Sequence, residues 1–184
     1  MQNVSDVTLV TLPNLVELCL DSAFLNVKIL TVENAGLLEN HVGLKNAKKR
    51  IEEERRLNEK KRRREEGIVL NAEDMENLAD DVTSISVKAC DDYEKETLDL
   101  SRFTKLKELK IASRCFNYVS QVRIVGLLEL QTVSIGEAAF QNNGKDCKLQ
   151  IQNCPSLLSI TIGNESFKSF SQLEMSGVKS LQSI

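Results

Sequence analysis

Apolar residues return in the same seven columns three times in the second half of this 184-residue chain, and then begin a fourth set. One copy reads Leu98, Leu100, Phe103, Leu106, Leu109, Ile111, Phe116, and the next reads Val122, Ile124, Leu127, Leu130, Val133, Ile135, Phe140. The third is Leu149, Ile151, Cys154, Leu157, Ile160, Ile162, Phe167, and Leu173, Met175, Val178, Leu181 and Ile184 open the fourth. The first columns stand 24, 27 and 24 residues apart. A unit of that length cannot bury its own apolar face and must stack on a neighbour, so the period predicts a repeat solenoid.

The same template fits the beginning of the chain, where Val7, Leu9, Leu12, Leu15, Leu18, Leu20 and Leu25 fill all seven columns. Leu30, Val32, Ala35 and Leu38 open a second unit there. A degenerate unit precedes Leu98, with Val82, Ile85, Val87 and Cys90 in its later columns. Its front part reads instead as a turn or two of helix, capped by Asn71 and carrying Met75, Leu78 and Val82 on one face.

Between these two stretches lies a different material. Residues 44–66 hold eleven Lys or Arg and six Glu, with Leu44, Ala47, Ile51 and Leu57 as the apolar members. Opposite charges fall four apart at Lys48/Glu52, Arg55/Glu59, Lys61/Glu65 and Arg62/Glu66, among others. Each such pair contributes about 0.2–0.5 kcal/mol to a helix. Leu44, Ala47 and Ile51 are expected to hold the first turns to the body, and beyond Leu57 nothing apolar remains to dock. The segment therefore reads as a solvated helix inserted into the second repeat and dispensable for the fold. The organisation expected is N-terminal repeats over 1–43, a charged helical insertion over 44–67, and C-terminal repeats of the same solenoid over 68–184.

Within each copy the last four columns follow L-x-x-L-x-L-x-x-(N)-x-L: Leu106, Leu109, Ile111 and Phe116 in one, Leu130, Val133, Ile135 and Phe140 in the next, Leu157, Ile160, Ile162 and Phe167 in the third. This resembles the leucine-rich repeat, and the recurring Ile135-Gly136 and Ile162-Gly163, each followed by a Phe, is similar to its BspA-like subclass. The resemblance implies a mainly β fold of short parallel strands, with the L-x-L core on a concave face and one charged α-helical insertion beside it. A second strand per unit is expected from pairs of the Leu98-x-Leu100 type. Where the family carries its turn Asn, this chain has Arg114, Ala138 and Glu165, so the asparagine ladder is missing. The Ile-Gly pairs read as turns in which glycine supplies a positive φ.

Chemistry-bearing residues are sparse. His41 is the single histidine, which removes most schemes pairing a Ser or Cys nucleophile with a base. Five cysteines, an odd number without pattern, read as reduced thiols. Cys154 occupies a core column and reads as a small buried hydrophobe, and its distance in sequence from His41 argues against a metal site with Cys147. Asp80/Asp81 and Asp91/Asp92 read as solvated turn residues. No enzyme, cofactor or metal is expected. The opening residues carry no basic region or apolar run, and nowhere do about 18 apolar residues follow one another. The expectation is a cytoplasmic or nuclear protein without a membrane span, or a cell-surface one if the chain is a fragment.

Function is then expected on the outward positions flanking the strand core, which the resemblance places in the concave bay: Glu17, Cys19, Ser86, Glu108, Lys110, Thr132, Ser134, Ser159 and Thr161. Of these, Glu108, Lys110, Thr132, Ser134, Ser159 and Thr161 form the candidate contact surface for a protein partner, as scaffold or complex subunit. The alternative is a nucleic-acid-associated factor contacting RNA or DNA through the basic helix 45–64, above all Lys60, Lys61, Arg62, Arg63 and Arg64. The interleaved glutamates and the lack of a stacking aromatic weigh against it. The net charge of −3 supports this weighting, because the insertion carries a surplus of five cations and the remainder is left at −8. Neither end shows a polar capping unit, so the open ends are expected to stack on another chain or on further repeats.

Overall fold

The apolar columns become backbone registers in the computed structural model, which describes residues 6–10, 29–33, 42–142, 144 and 146–184. The architecture is mixed α/β, with short strands in three parallel sheets and two helices among the described residues. The chain divides into two compact units, Met1–Lys60 and Lys61–Ile184. The expected columns from Leu12 to Leu25, Ala35 and Leu38, the bay positions Glu17 and Cys19, and His41 all lie outside the described residues.

In the first unit, β1 (Asp6–Val10) and β2 (Ile29–Glu33) pair in parallel, with Val7 opposite Leu30 and Leu9 opposite Val32. These are the first two columns of the two N-terminal copies, aligned as the template aligned them. Helix α1 (Val42–Glu66) follows. Leu44, Ala47 and Ile51 recur at helical spacing and are buried, as their pattern required. Ile51 shares a cleft with Ile29, Leu30 and Thr31 of β2. Leu57, with no apolar neighbour at that spacing, is exposed.

In the second unit the chain continues through β3 (Ile68–Val69), α2 (Ala72–Asn77) and β4 (Ser84–Val87). Each full seven-column copy then contributes two strands: β5 (Thr97–Asp99) and β6 (Glu108–Ile111), β7 (Gln121–Val125) and β8 (Thr132–Ile135), β9 (Cys147–Gln152) and β10 (Ser159–Ile162). The fourth set opens with β11 (Phe170–Ser176). The strands sort into a five-stranded sheet ordered β10-β8-β6-β4-β3 and a four-stranded sheet ordered β11-β9-β7-β5. Like columns pair with like: Ile85, Leu109, Val133 and Ile160 stand in one line, and Leu98, Val122, Leu149 and Leu173 in another. Alternation at period two sends these aliphatics inward and their neighbours outward. The longer 27-residue step is absorbed in residues 141–146, between Phe140 and β9, so the register survives it.

The turn after each core strand departs from expectation. Gly136 and Gly163 do not take positive φ; the left-handed residues are Arg114, Ala138 and Glu165, and with them Phe116, Phe140 and Phe167. The two glycines are required by crowding instead. A Cβ on Gly163 would lie 2.6 Å from Glu137 N, and one on Gly136 would lie 2.5 Å from Ser113 N, in the preceding copy. Left-handed backbone costs a residue with a Cβ about 1–2 kcal/mol, and here it aims amides along the stacking direction. Arg114 N donates to Glu137 O at 2.9 Å and Ala138 N to Asn164 O at 2.8 Å. Phe116 N donates in the opposite direction to Cys90 O, Phe140 N to Cys115 O, and Phe167 N to Ala139 O. Backbone and hydroxyl groups join the turns of adjacent copies: Ser166 Oγ donates to Gly136 O at 2.7 Å and accepts from Ala139 N at 3.1 Å. The rings are carried into register too, with Phe116 stacked on Phe140 at 5.4 Å and Phe140 on Phe167 at 4.6 Å between centroids.

At the start of this unit the front part of the degenerate copy forms the short helix α2, where a turn or two of helix was expected. Asn71 caps it, accepting from Asp74 N at 2.9 Å, and Met75, Leu78 and Val82 are buried. Arg102 secures the other end, donating to Met75 O and Glu76 O while its guanidinium lies 4.4 Å over the Phe103 ring. The end of α1 is also fixed, which corrects the expectation that nothing beyond Leu57 docks. Arg63 is paired with the buried carboxylate of Asp74, at 3.0 Å from Nε to Oδ2 and 3.2 Å from Nη2 to Oδ1. Arg64 O accepts from Ala79 N at 3.2 Å, and Gly67 turns the chain into β3 with φ of 71°. A Cβ at Gly67 would fall 1.8 Å from Ser84 O. Docking is polar, and the apolar pattern could not show it.

Three outcomes are expected. Leu109→Ala and Ile160→Ala lower unfolding free energy by about 2–5 kcal/mol, whereas Thr132→Ala and Ser159→Ala change it by less than about 0.5 kcal/mol; urea melts check both. Gly163→Ala costs more than Gly126→Ala, because the second site has φ of 74° but no atom within 4 Å of the added methyl; equal losses would show that crowding between copies is not what holds Gly163. Asp74→Ala removes the buried carboxylate that faces Arg63 and accepts from Leu70 N, and lowers stability by about 3 kcal/mol, a loss that the deletion of α1 up to Lys60 does not reproduce.

Candidate binding surfaces

The outward positions of β4, β6, β8 and β10 form two adjacent rows. Ser84, Glu108, Thr132 and Ser159 stand opposite one another in the first, and Ser86, Lys110, Ser134 and Thr161 in the second. All six residues expected to contact a partner are thus brought together on one face of one sheet, with strands about 4.8 Å apart. Glu108, Thr132 and Ser159 are half-buried; Lys110, Ser134 and Thr161 are exposed.

Charge on this face is concentrated on β6. Lys110 Nζ lies 2.8 Å from Glu108 Oε1, and Ser84 Oγ donates to Glu108 Oε2 at 3.4 Å. The Lys110 ammonium holds the Glu108 carboxyl below its ordinary range. Beyond this pair, toward β10, the surface consists of hydroxyls. Glu129 sits beside it between Lys105, at 3.0 Å, and Lys107, at 3.8 Å. Such a surface offers directional hydrogen bonds in rows, without a Trp, Tyr or Arg anchor.

A second polar face went unread. On the four-stranded sheet Asp99, Arg123, Gln150 and Glu174 occupy one outward row. Arg123 Nε stands 3.5 Å from Asp99 Oδ2, and Lys148 Nζ stands 2.6 Å from Glu174 Oε1. Gln150 Nε2 and Gln152 Nε2 both donate to Glu174 Oε2, at 2.8 and 3.3 Å. Hydrogen bonding by Lys148, then by Gln150, keeps the Glu174 carboxyl below its usual range. Its sequence signal is the residue between the first two columns of each copy, Asp99, Arg123, Gln150 and Glu174, outside the L-x-L strand.

The basic run does not act as a single patch. Lys61 lies 4.0 Å from Glu65 and Arg62 lies 3.7 Å from Glu66, both exposed pairs one helical turn apart. Arg63 is turned to Asp74, Arg64 is exposed, and Lys60 is half-buried. Three of the described thiols donate to backbone carbonyls, Cys115 Sγ to Ser113 O among them. Cys154 Sγ donates to Gln152 O and Ile124 O, and Cys147 Sγ to Gly144 O and Asn142 O. Asp80 pairs with Arg102 at 3.0 Å, and Asp92 accepts from Ala72 N at 2.8 Å, so two of the turn carboxylates expected to be solvated have structural roles. No helix of the described residues is long and apolar enough to cross a membrane, and no group of three or more His, Cys, Asp or Glu side chains among them is placed to hold a metal.

Comparison with protein-family models, with curated proteins and with solved structures finds no match.

Burial pushes the Cys90 thiol from 9.0 up to about 12, and raises those of Cys115 and Cys154 in the same direction. The folded state keeps these protons where the unfolded chain releases them, so the contribution of the thiols to stability is constant below about pH 8 and is lost as pH rises from 9 toward 12. A denaturation midpoint that held steady from pH 8 to 11 would contradict these burials; native-state titration with a thiol reagent near pH 8 should leave Cys90, Cys115 and Cys154 unmodified until the protein unfolds.

Proposed function

We propose that the chain is a leucine-rich-repeat solenoid, of the BspA-like kind, that serves as a non-catalytic protein-binding scaffold or subunit. The contact surface is the outer face of the β10-β8-β6-β4 sheet, the concave face of the proposed arc. The observation that carries the reading is the in-register double row from Ser84 and Ser86 to Ser159 and Thr161. It presents polar groups at the regular pitch of the strands, above a core in which Ile85, Leu109, Val133 and Ile160 are buried. In this reading α1 is an insertion within the second repeat, and β3 supplies the strand resumed after it, with Val69 opposite Val87. The nucleic-acid alternative has less support, since Arg63 is committed to Asp74 and Lys61 and Arg62 face glutamates.

The test is affinity capture from lysate of the source cells, comparing the wild-type chain with a Lys110→Glu, Ser134→Arg, Thr161→Arg variant. These exposed substitutions preserve the circular dichroism spectrum and melting temperature, and they remove the proteins that the wild type retains. Retention unchanged by the triple variant refutes this face as the binding surface. Binding to random RNA, with a steep loss between about 50 and 200 mM salt, would move function to the basic helix.

A further inference from the structure

Two free thiols stand in one column of the stack. Phe116 N donates to Cys90 O, Phe140 N to Cys115 O and Phe167 N to Ala139 O, so one link recurs at three junctions between turns. Cys115, Ala139 and Ser166 each precede the donating Phe. With Cys90 they therefore hold equivalent places in four successive turns. Side chains in this column reach back by one copy: Ser166 Oγ accepts from Ala139 N at 3.1 Å, and the Cys115 thiol likewise takes a hydrogen bond from the backbone of Cys90. Both thiols are free and buried. Hydrogen-bonded neighbours of this kind lie about 4.8 Å apart, inside the Cα separation of about 4.4–6.8 Å that a disulfide spans. Cys147 and Cys154, the other described thiols, stand at opposite ends of the extended β9 and cannot meet each other.

The junction that holds this pair is also the one with the fewest links of its own. Between the second and third turns Arg114 N donates to Glu137 O and Glu137 N to Ser113 Oγ. Between the third and fourth, Ala138 N donates to Asn164 O and Ser166 Oγ to Gly136 O. The first turn, residues 88–96, has no left-handed residue and, among the described residues, no counterpart of the Arg114–Glu137 bond. In this column it is joined to the second turn by Phe116 N and by a thiol, which is a weak acceptor.

We propose that Cys90 and Cys115 form a disulfide when the chain folds in the presence of a low-molecular-weight disulfide, stapling the first turn to the second. One thiolate attacks the small disulfide and releases half of it; the other thiolate then attacks the mixed disulfide and releases the second half. Both cysteines are oxidised, two electrons pass to the small disulfide, and its halves leave as thiols carrying the two protons. Exchange takes place while the first turn is forming, because burial closes both thiols to reagents afterwards. Reduced, the junction is held by hydrogen bonds; oxidised, it is covalent. This pair is independent of the function proposed above.

The test refolds the full 184-residue chain carrying Cys19→Ser from urea in a mixture of reduced and oxidised glutathione. Remaining thiols are then alkylated in denaturant and the tryptic peptides are mapped by mass. A single Cys90–Cys115 disulfide is expected, with Cys147 and Cys154 alkylated. The urea midpoint of the oxidised chain should lie above that of the reduced chain and return to it with dithiothreitol. Cys90→Ala and Cys115→Ser put into this column residues that it already carries at Ala139 and Ser166, so each should keep the circular dichroism spectrum and abolish the shift. Four thiols still free after refolding, a disulfide that includes Cys147 or Cys154, a Cys90–Cys115 bond that lowers the urea midpoint, or the same shift in either variant would each overturn the proposal.

Discussion

Successive copies in the second unit are joined by backbone groups that point from one copy to the next, and the rest of the arrangement depends on keeping those groups in register. The link recurs at the same place in each copy: Gln131 N donates to Lys107 O, Leu158 N to Gln131 O, and Gln182 N to Leu158 O. Because parallel pairing fixes the distance between equivalent Cα atoms, it also lines up equivalent side chains. The aliphatic columns are enclosed for that reason, and the outward hydroxyls form rows for the same reason. Core and surface are two products of one register.

The turns show what that register demands. Arg114, Phe116, Ala138, Phe140 and Phe167 accept a left-handed backbone and aim their amides at neighbouring copies, and Gly136 and Gly163 give up a side chain so that adjacent copies approach closely. The local cost is offset by hydrogen bonds formed in both directions and by the stacked Phe116, Phe140 and Phe167 rings. Two serine hydroxyls, those of Ser113 and Ser166, complete the links between the turns. Ser113 Oγ accepts from Glu137 N, and Ser166 Oγ bridges Ala139 N and Gly136 O.

Much of this was legible in the sequence because burial and pairing share one period. The two strands of each copy, the enclosed Cys154 column, the Asn71 cap and the gathering of Glu108, Lys110, Thr132, Ser134, Ser159 and Thr161 onto one face all follow from counting columns. What escaped depends on approach distances and single charges, which leave no periodic trace. Gly67 looks like a helix stop, and only the nearness of Ser84 O shows that nothing larger fits. Arg63 sits within a run of like residues, and its pairing with Asp74 is visible only once α2 has folded beside it. Glu174 and its three partners come from residues 22 to 26 positions apart, brought together by pairing that no local pattern states.

Paired strands are never far apart along the chain. Among the described strands the widest separation is the 27 residues between Val133 and Ile160 or between Val122 and Leu149, and the commonest is 24. Closing a loop of that size has a small entropic cost, and the cost hardly differs from one copy to the next. Contacts this local favour rapid folding for a protein built largely from sheet. They also make order a matter of neighbours. A strand held on both sides opens only after one of its neighbours has, so hydrogen-exchange protection should be greatest in the β6–β8 and β7–β9 layers and fall toward β11. The same layering confines damage: a break at one copy weakens the two beside it and leaves the others paired.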